Sequence, residues 1–419
     1  MKFKELIKLD IFFSAVFVFV LLFFFPIFFN FAIFDPFKVA LQDFNITDTY
    51  FSKIWSDEAT AKETDIVIIN LSEKTPFGIQ ELDGFSVAQI IDAVNRTEPK
   101  VIGVDYVLKY DSISAGEKYN PMFSQFIKTI TSNTKNLILS GEFIEFDKQK
   151  NTYNILDSPD TNLYVYSQIG FNNLILGKSQ QTTTVRSFQP NYNYKGKNYK
   201  LFDVLVAEKY NPDAVTRFLS RNNDTETINF IGNDNKFFII NGSQILEGNF
   251  DPEMLKDKII LMGAFDTTAF YDKFDKMYFT PLNRKTAGKT FPDMYSTIIH
   301  ANIVSMLLTD KYFNKLADWI SIAAAFFICY FNMLVFYYIS NYHKKWYELS
   351  AMLIFLVESV GTIYVTVLAF SEKNLEMDLT LTIMAAAISV LAFEIYYETI
   401  KPLVVAIINK VFKKDFAIE

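Results

Sequence analysis

Four long apolar runs divide this chain, and their lengths restrict its folding more than any single motif does. The first, IFFSAVFVFVLLFFFPIFFNFAIF, covers residues 11–34. A helix over this run would be about 36 Å long at 1.5 Å rise per residue, enough for a tilted crossing of a roughly 30 Å hydrocarbon core. Three more runs follow, at 317–340, 349–370 and 379–400. All four are expected to be transmembrane helices. The first is longer than the apolar part of a secretory leader and no small-residue cleavage pattern follows it, so it reads as an uncleaved anchor. Pro26 is expected to bend it, which a membrane span tolerates.

Lys and Arg near the ends of the runs set the expected orientation. Lys2, Lys4 and Lys8 precede the first run; His343, Lys344 and Lys345 fill the turn after the second; Lys401, Lys410, Lys413 and Lys414 follow the fourth. The turn between the third and fourth, SEKNLEMD, is net acidic. Residues 1–10 and the short tail 401–419 are therefore expected in the cytoplasm. Residues 35–314 are expected outside, in the periplasm or extracellular space, with the chain multi-pass in a bacterial inner (cytoplasmic) membrane. Heavy use of Phe, Ile, Asn and Lys fits an AT-rich bacterial genome. The tail KPLVVAIINKVFKK is basic and amphipathic, and lies either along the inner leaflet or as a continuation of the fourth helix. So little chain follows the last run that any output step is expected to belong to a separate protein.

Composition excludes several classes of function. The net charge is −7 and there is no long basic stretch, so a nucleic-acid partner is not expected. The single cysteine, Cys329, lies in an apolar run, which rules out a disulfide framework. With two histidines in the chain, a His- or Cys-based metal site is not expected, and no cofactor is implied. No Gly-x-Ser-x-Gly elbow or complete Ser-x-x-Lys set is present, so no catalytic residue is assigned.

In 35–314, β-branched runs alternate with segments of helical periodicity. DIVIINL (65–71), KVIGVDYVL (100–108), NLILSGEF (136–143), TINFIG (227–232) and KIILMGA (258–264) read as buried strands. Residues 86–97, 122–134, 200–210 and 295–308 read as helices, with Ser86 as an N-cap. Residues 146–184 are richer in Asn, Gln, Tyr and Thr and read as a meander or an insertion. The expected fold is an α/β domain with a mainly parallel sheet, plus four transmembrane α-helices, one N-terminal and three C-terminal.

These segments resemble a known family. DIVIINLSEKT, then a helix, then KVIGVDYVL, is similar to the opening of the type-2 CHASE domain, an extracytoplasmic sensor of bacterial cyclases and kinases. TTTVRSFQP resembles its strand with a Val-Arg pair, and INFIG followed by ILEGNFDPEMLKDKIILMGAFD resembles its late section. FTPL with FPDMYSTIIHANIVSMLL resembles its closing motif. The segment before the first helix, FGIQELDGFSV, has neither the Trp nor the Arg usual there. The resemblance implies a non-catalytic, membrane-anchored sensor that binds a small ligand and signals through a separate membrane or cytoplasmic protein. The alternative is an accessory or structural subunit of an envelope complex, with the domain as a docking surface. Membrane lipid surrounds the chain in either case, and a homo-oligomer is compatible with both.

Candidate ligand-binding residues each carry a structural alternative. Asp105 ends a strand, where open α/β sheets gather ligands, or it caps a loop or pairs with a buried Arg. Arg186 could clamp an anion or pair with an Asp; pairing is preferred. His300 is a ligand contact or pH-sensitive hinge, or is bonded to a neighbouring loop, which is preferred. Asn302 stands beside it in the closing helix. Asp272, with Asp266 and Asp275, lies near Thr280 in a loop whose spacing matches no calcium pattern. No metal site is assigned, and Gly263-Ala264 is read as a tight strand exit. Within the apolar runs, Asn332, Glu358 and Glu394 are the polar residues to explain, and a Glu358–Asn332 pair gluing the helices is preferred to a proton relay.

Overall fold

A computed structural model describes residues 3–29, 47–48, 50–51, 62–75, 78–107, 121–147, 149–159, 167–174, 184–265, 277–283 and 291–412. Two compact units result, one made of 1–42 with 314–419, the other of 43–313.

The second unit is built on parallel strands. They are β1 (Ile66–Asn70), β2 (Val101–Asp105), β3 (Leu137–Asp147), β5 (Gln168–Phe171), β6 (Phe238–Asn241) and β7 (Ile259–Gly263). They lie side by side in the order β6-β1-β7-β2-β3-β5, every neighbouring pair parallel. The outer half of β3 turns back as an antiparallel hairpin with β4 (Thr152–Asp157), so residues 146–184 supply one hairpin strand and one parallel edge strand. Every residue of β1, β2 and β7 is buried, as expected where both faces of a parallel sheet are covered.

Alternation sorts the strand residues between two helical layers. Val67, Ile69, Ile102, Val104, Ile260 and Met262 face α2 (Gly84–Asn95) and α3 (Pro121–Asn133). The other face carries Gly103, Asp105 and Gly263, and it receives α4 (Phe202–Tyr210) and α6 (Ser296–Thr309). A Cβ on Gly103 would press on Phe202 and Val206, and one on Gly263 on Thr297. These glycines let both helices settle directly on the sheet. Between α4 and α6 in sequence lies the short α5 (Pro212–Leu219), started by Asn211, whose side chain accepts from the Ala214 amide.

Two local readings are corrected. The N-cap of α2 is Asp83, whose carboxylate accepts from the Ser86 amide at 2.7 Å, so Ser86 sits inside the first turn. Of TINFIG only Thr227 is strand, as the second residue of the short strand Glu226–Thr227. Beyond that, Ile228 and Phe230 are buried but the Ile231 amide is bonded by the Asn302 side chain instead of a neighbouring strand. Apolar content made that run look like a strand, and a side-chain clasp took over the ladder's role.

The first unit gathers helices. α7 (Asp318–Tyr342), α8 (Tyr347–Lys373) and α9 (Thr380–Ile395) with its continuation form three spans long and apolar enough to cross a membrane. α9 passes through a π-turn at Tyr396–Ile400 into α10 (Lys401–Phe412), so the tail continues the fourth apolar run as helix through Phe412. Pro402 accounts for the irregular turn, since it has no N–H for the regular ladder. The N-terminal α1 runs Phe3–Phe29 and starts before Ile11; residues 30–34 of the expected span lie outside the described residues. Its apolar stretch, Leu9–Phe24, is shorter than the three C-terminal ones.

Ile11, Ala15, Val18 and Leu22 of α1 pack with Ala325, Cys329, Met333 and Phe336 of α7 and with Ala385 and Ala392 of α9. Both stripes advance by three or four residues, which keeps one face of each helix turned inward. The small residues among them allow close approach between helices. Asp10 of α1 pairs with Lys401 at 3.1 Å and accepts from the Tyr396 hydroxyl at 3.2 Å.

Candidate functional site

Asp105 closes β2 on the face that carries α6. One carboxylate oxygen, Oδ1, accepts from Asn172 Nδ2 at 2.8 Å; the other accepts from Ser296 Oγ at 3.1 Å and Thr297 Oγ1 at 2.9 Å. Ser296 and Thr297 form the first turn of α6, whose positive end favours an anion there. Asp105 is 5% exposed, so its charge is held by these donors and not by bulk water.

One turn further along α6, His300 is sealed completely. Its Nδ1 lies 3.0 Å from Asp203 Oδ2, and Nε2 lies 3.8 Å from Asp105 Oδ1. Nε2 has no hydrogen-bond partner among the described residues. Burial pulls the imidazole's pKa down, but Asp203 and Asp105 together outweigh it and hold it up at about 9. Burial likewise raises Asp203, against the pull of His300. Both shifts mean that the pair keeps its proton. Phe202 lies edge-on to the imidazole, with centroids 5.6 Å apart.

Above Asp105 opens a cavity of about 520 Å³, at the C-terminal ends of β2 and β3. Its walls include Glu142, Phe143, Tyr153, Asn172, Tyr278 and Ser296. That volume falls within the roughly 300–1,000 Å³ of small-molecule sites, and strand ends are where parallel sheets place ligands. The sealed imidazole cannot reach a molecule in the cavity, so it acts as a charge that holds carboxylates and not as an acid or base for a substrate.

The other expected residues sit elsewhere. Arg186 grips Asp48 in a bidentate pair, Nε to Oδ1 at 2.9 Å and Nη2 to Oδ2 at 2.7 Å, while Asp105 is bonded to hydroxyls and an amide and has His300 nearby. Thr280 bonds Asp293 through its amide and hydroxyl and braces the segment before α6. Asn302, buried, spans Gly232 O, Ile298 O and the Ile231 amide. His300 is bonded to a neighbouring helix instead of a loop. Asp272, with Asp266 and Asp275, lies outside the described residues. In the apolar helices Asn332 Nδ2 donates to Glu358 Oε2 at 2.8 Å, and Glu394 is on an exposed face.

Sequence reasoning missed Asp203, Asn172 and Tyr278. Asp203 had a signal, since an acid amid LFDVLVA at helical spacing is either paired or costly. Asn172 and Tyr278 had none, because only the sheet order brings them to the end of β2.

A parallel α/β domain with a cavity at its strand ends stands in one chain with three helices long and apolar enough to cross a membrane. The chain belongs to the CHASE2 domain family, a family of extracytoplasmic sensory domains, whose model matches residues 15–335. No curated protein and no solved structure matches it.

Proposed function

We propose that the chain is a non-catalytic sensor whose ligand occupies the cavity over Asp105 and whose state is passed to a separate signalling protein. Membership of a sensory family supports the sensor role. The observation that carries the rest is the bonding of Asp105, at the cavity floor, to Ser296 and Thr297 of α6. In sequence α6 is the last helix before α7, the first of the long apolar helices. A ligand that reorients the Asp105 carboxylate changes what holds the first turn of α6, and so favours one of two arrangements. The Lys-rich turns support a bacterial inner-membrane placement with both termini cytoplasmic, the N-terminal helix as a fourth span and the domain in the periplasm.

Thermal-shift measurements on the full chain in maltoside micelles, against a panel of small metabolites, test this reading. A compound that raises the melting temperature of the wild type but not of Asp105→Asn or Tyr278→Ala is the expected result. If no compound shifts the transition, or if shifts survive both substitutions, the cavity is not the sensing site.

A further inference from the structure

We propose that the cavity takes a small organic cation, an ammonium group on a compact apolar body; this rests on the cavity being the sensing site and specifies its ligand. Three carboxylates line it, Asp105, Glu142 and Glu145, and no Lys, Arg or His does so among the described residues. Among the described lining residues an anion would meet only like charges. Between the carboxylates stand aromatic rings, Tyr106, Phe143, Tyr153 and Tyr278, whose faces attract cations and whose bodies cover apolar surface.

One orphaned polar atom points the same way. The Asn172 side-chain carbonyl, on the cavity wall, is buried and accepts no hydrogen bond among the described residues, while its amide nitrogen is committed to Asp105. A ligand N–H would satisfy it. Beneath, His300 offsets part of the Asp105 charge from 3.8 Å, so the attraction for a ligand cation rests chiefly on Glu142 and Glu145. Burial, and after it Asp105 and Glu142, push the Tyr278 hydroxyl up to about 12.

A bare metal ion fits less well. Among the described residues no three acidic, His or Cys side chains converge as a metal cage, and carboxylates spread around aromatic walls suit a ligand with both charge and body.

The test uses the full chain in maltoside micelles, whose headgroup is uncharged. Calorimetric titration compares choline, butylammonium and 1,4-diammoniobutane with the neutral isostere 3,3-dimethylbutan-1-ol, with 3,3-dimethylbutanoate and with Ca²⁺. At least one ammonium is expected to bind, with the isostere weaker by about tenfold or more. Glu142→Gln with Glu145→Gln, both exposed side chains, should weaken that binding by a similar factor at unchanged melting temperature. If the isostere or the carboxylate binds as well as the ammonium and cavity substitutions abolish it, the cationic assignment falls and the sensing site stands. Binding of Ca²⁺ alone, dependent on the same glutamates, also overturns the cationic assignment. If no probe binds and no cavity substitution alters the response to any compound, the sensing site itself falls.

Discussion

His300 Nδ1 lies 3.0 Å from Asp203 Oδ2 with neither side chain exposed, in a chain with only one other histidine. The two carboxylates around this imidazole hold its pKa up at about 9, against 6.5 for a free histidine. A raised folded-state value means that the stabilisation is fully present below about pH 6.5 and is lost as pH rises through about 9. The loss over that window is on the order of 2–3 kcal/mol. Melting temperatures of the full chain at pH 6.5 and 9.5 should therefore fall steeply in the wild type. His300→Gln should start lower and lose little more across the same window. A wild type with a flat profile there would show that the imidazole is buried neutral.

The packing of α4 on the sheet depends on a missing side chain. A Cβ on Gly170 in β5 would lie 2.5 Å from the Phe202 Cα and 2.7 Å from its nitrogen. These are backbone atoms and cannot rotate away, so α4, which carries Asp203, has to move. Gly170→Ala is expected to cost about 2–3 kcal/mol, as overpacking does. Gly361 in α8 has nothing within 4 Å of such an atom, and Gly361→Ala should be neutral or slightly stabilising. Paired thermal melts check the contrast, and equal effects at the two sites would refute it.

Arg186 and Asp48 are joined bidentately, with the Asp48 side chain 1% exposed and that of Arg186 20%. Removing the guanidinium strands a buried carboxylate, at a cost of about 3–5 kcal/mol. Arg186→Met should lower stability by that order and Arg186→Lys by somewhat less, since an ammonium cannot reproduce the fork. Asp48→Asn with Arg186→Met should recover part of the loss. The ligand response of a folded Arg186→Lys protein should match the wild type. A selective loss of that response would make Arg186 a ligand residue after all.

How far the sequence foretold this structure depended on the range of each interaction. Runs such as VIGVD and IILMG could be assigned to strands because burial on both faces leaves short, almost continuous apolar runs. α6 was readable as a helix, but the reason its Ser, Thr, His and Asn are buried was not. Those side chains are satisfied by Asp105, Asp203 and the Gly232 loop, each brought in by strand order and close packing at Gly103 and Gly263. Asp105 was suggested by its place at a strand end. Its neighbours Asn172 and Tyr278 come from segments with no local signature. The Asn332–Glu358 pair was foreseeable because an apolar helix leaves a polar residue few partners.

That pair gives a last prediction. Asn332, 1% exposed on α7, donates to Glu358 on α8 at 2.8 Å, and Cys329 one turn before it contacts Ala15 of α1 and Ser389 of α9. Asn332→Leu removes the donor and leaves the Glu358 carboxyl without it in an apolar surrounding. The association of α7 with α8 should weaken by about 0.6 kcal/mol, the average for hydrogen bonds between membrane helices, and by about 1.7 kcal/mol at most. Glu358→Gln keeps an acceptor oxygen and should hold near wild-type stability. Resistance to dodecyl sulfate unfolding in mixed micelles measures both. If Asn332→Leu proves as stable as the wild type while Glu358→Gln is weakened, Glu358 is held by its charge, and the bond from Asn332 contributes nothing to the packing of these helices.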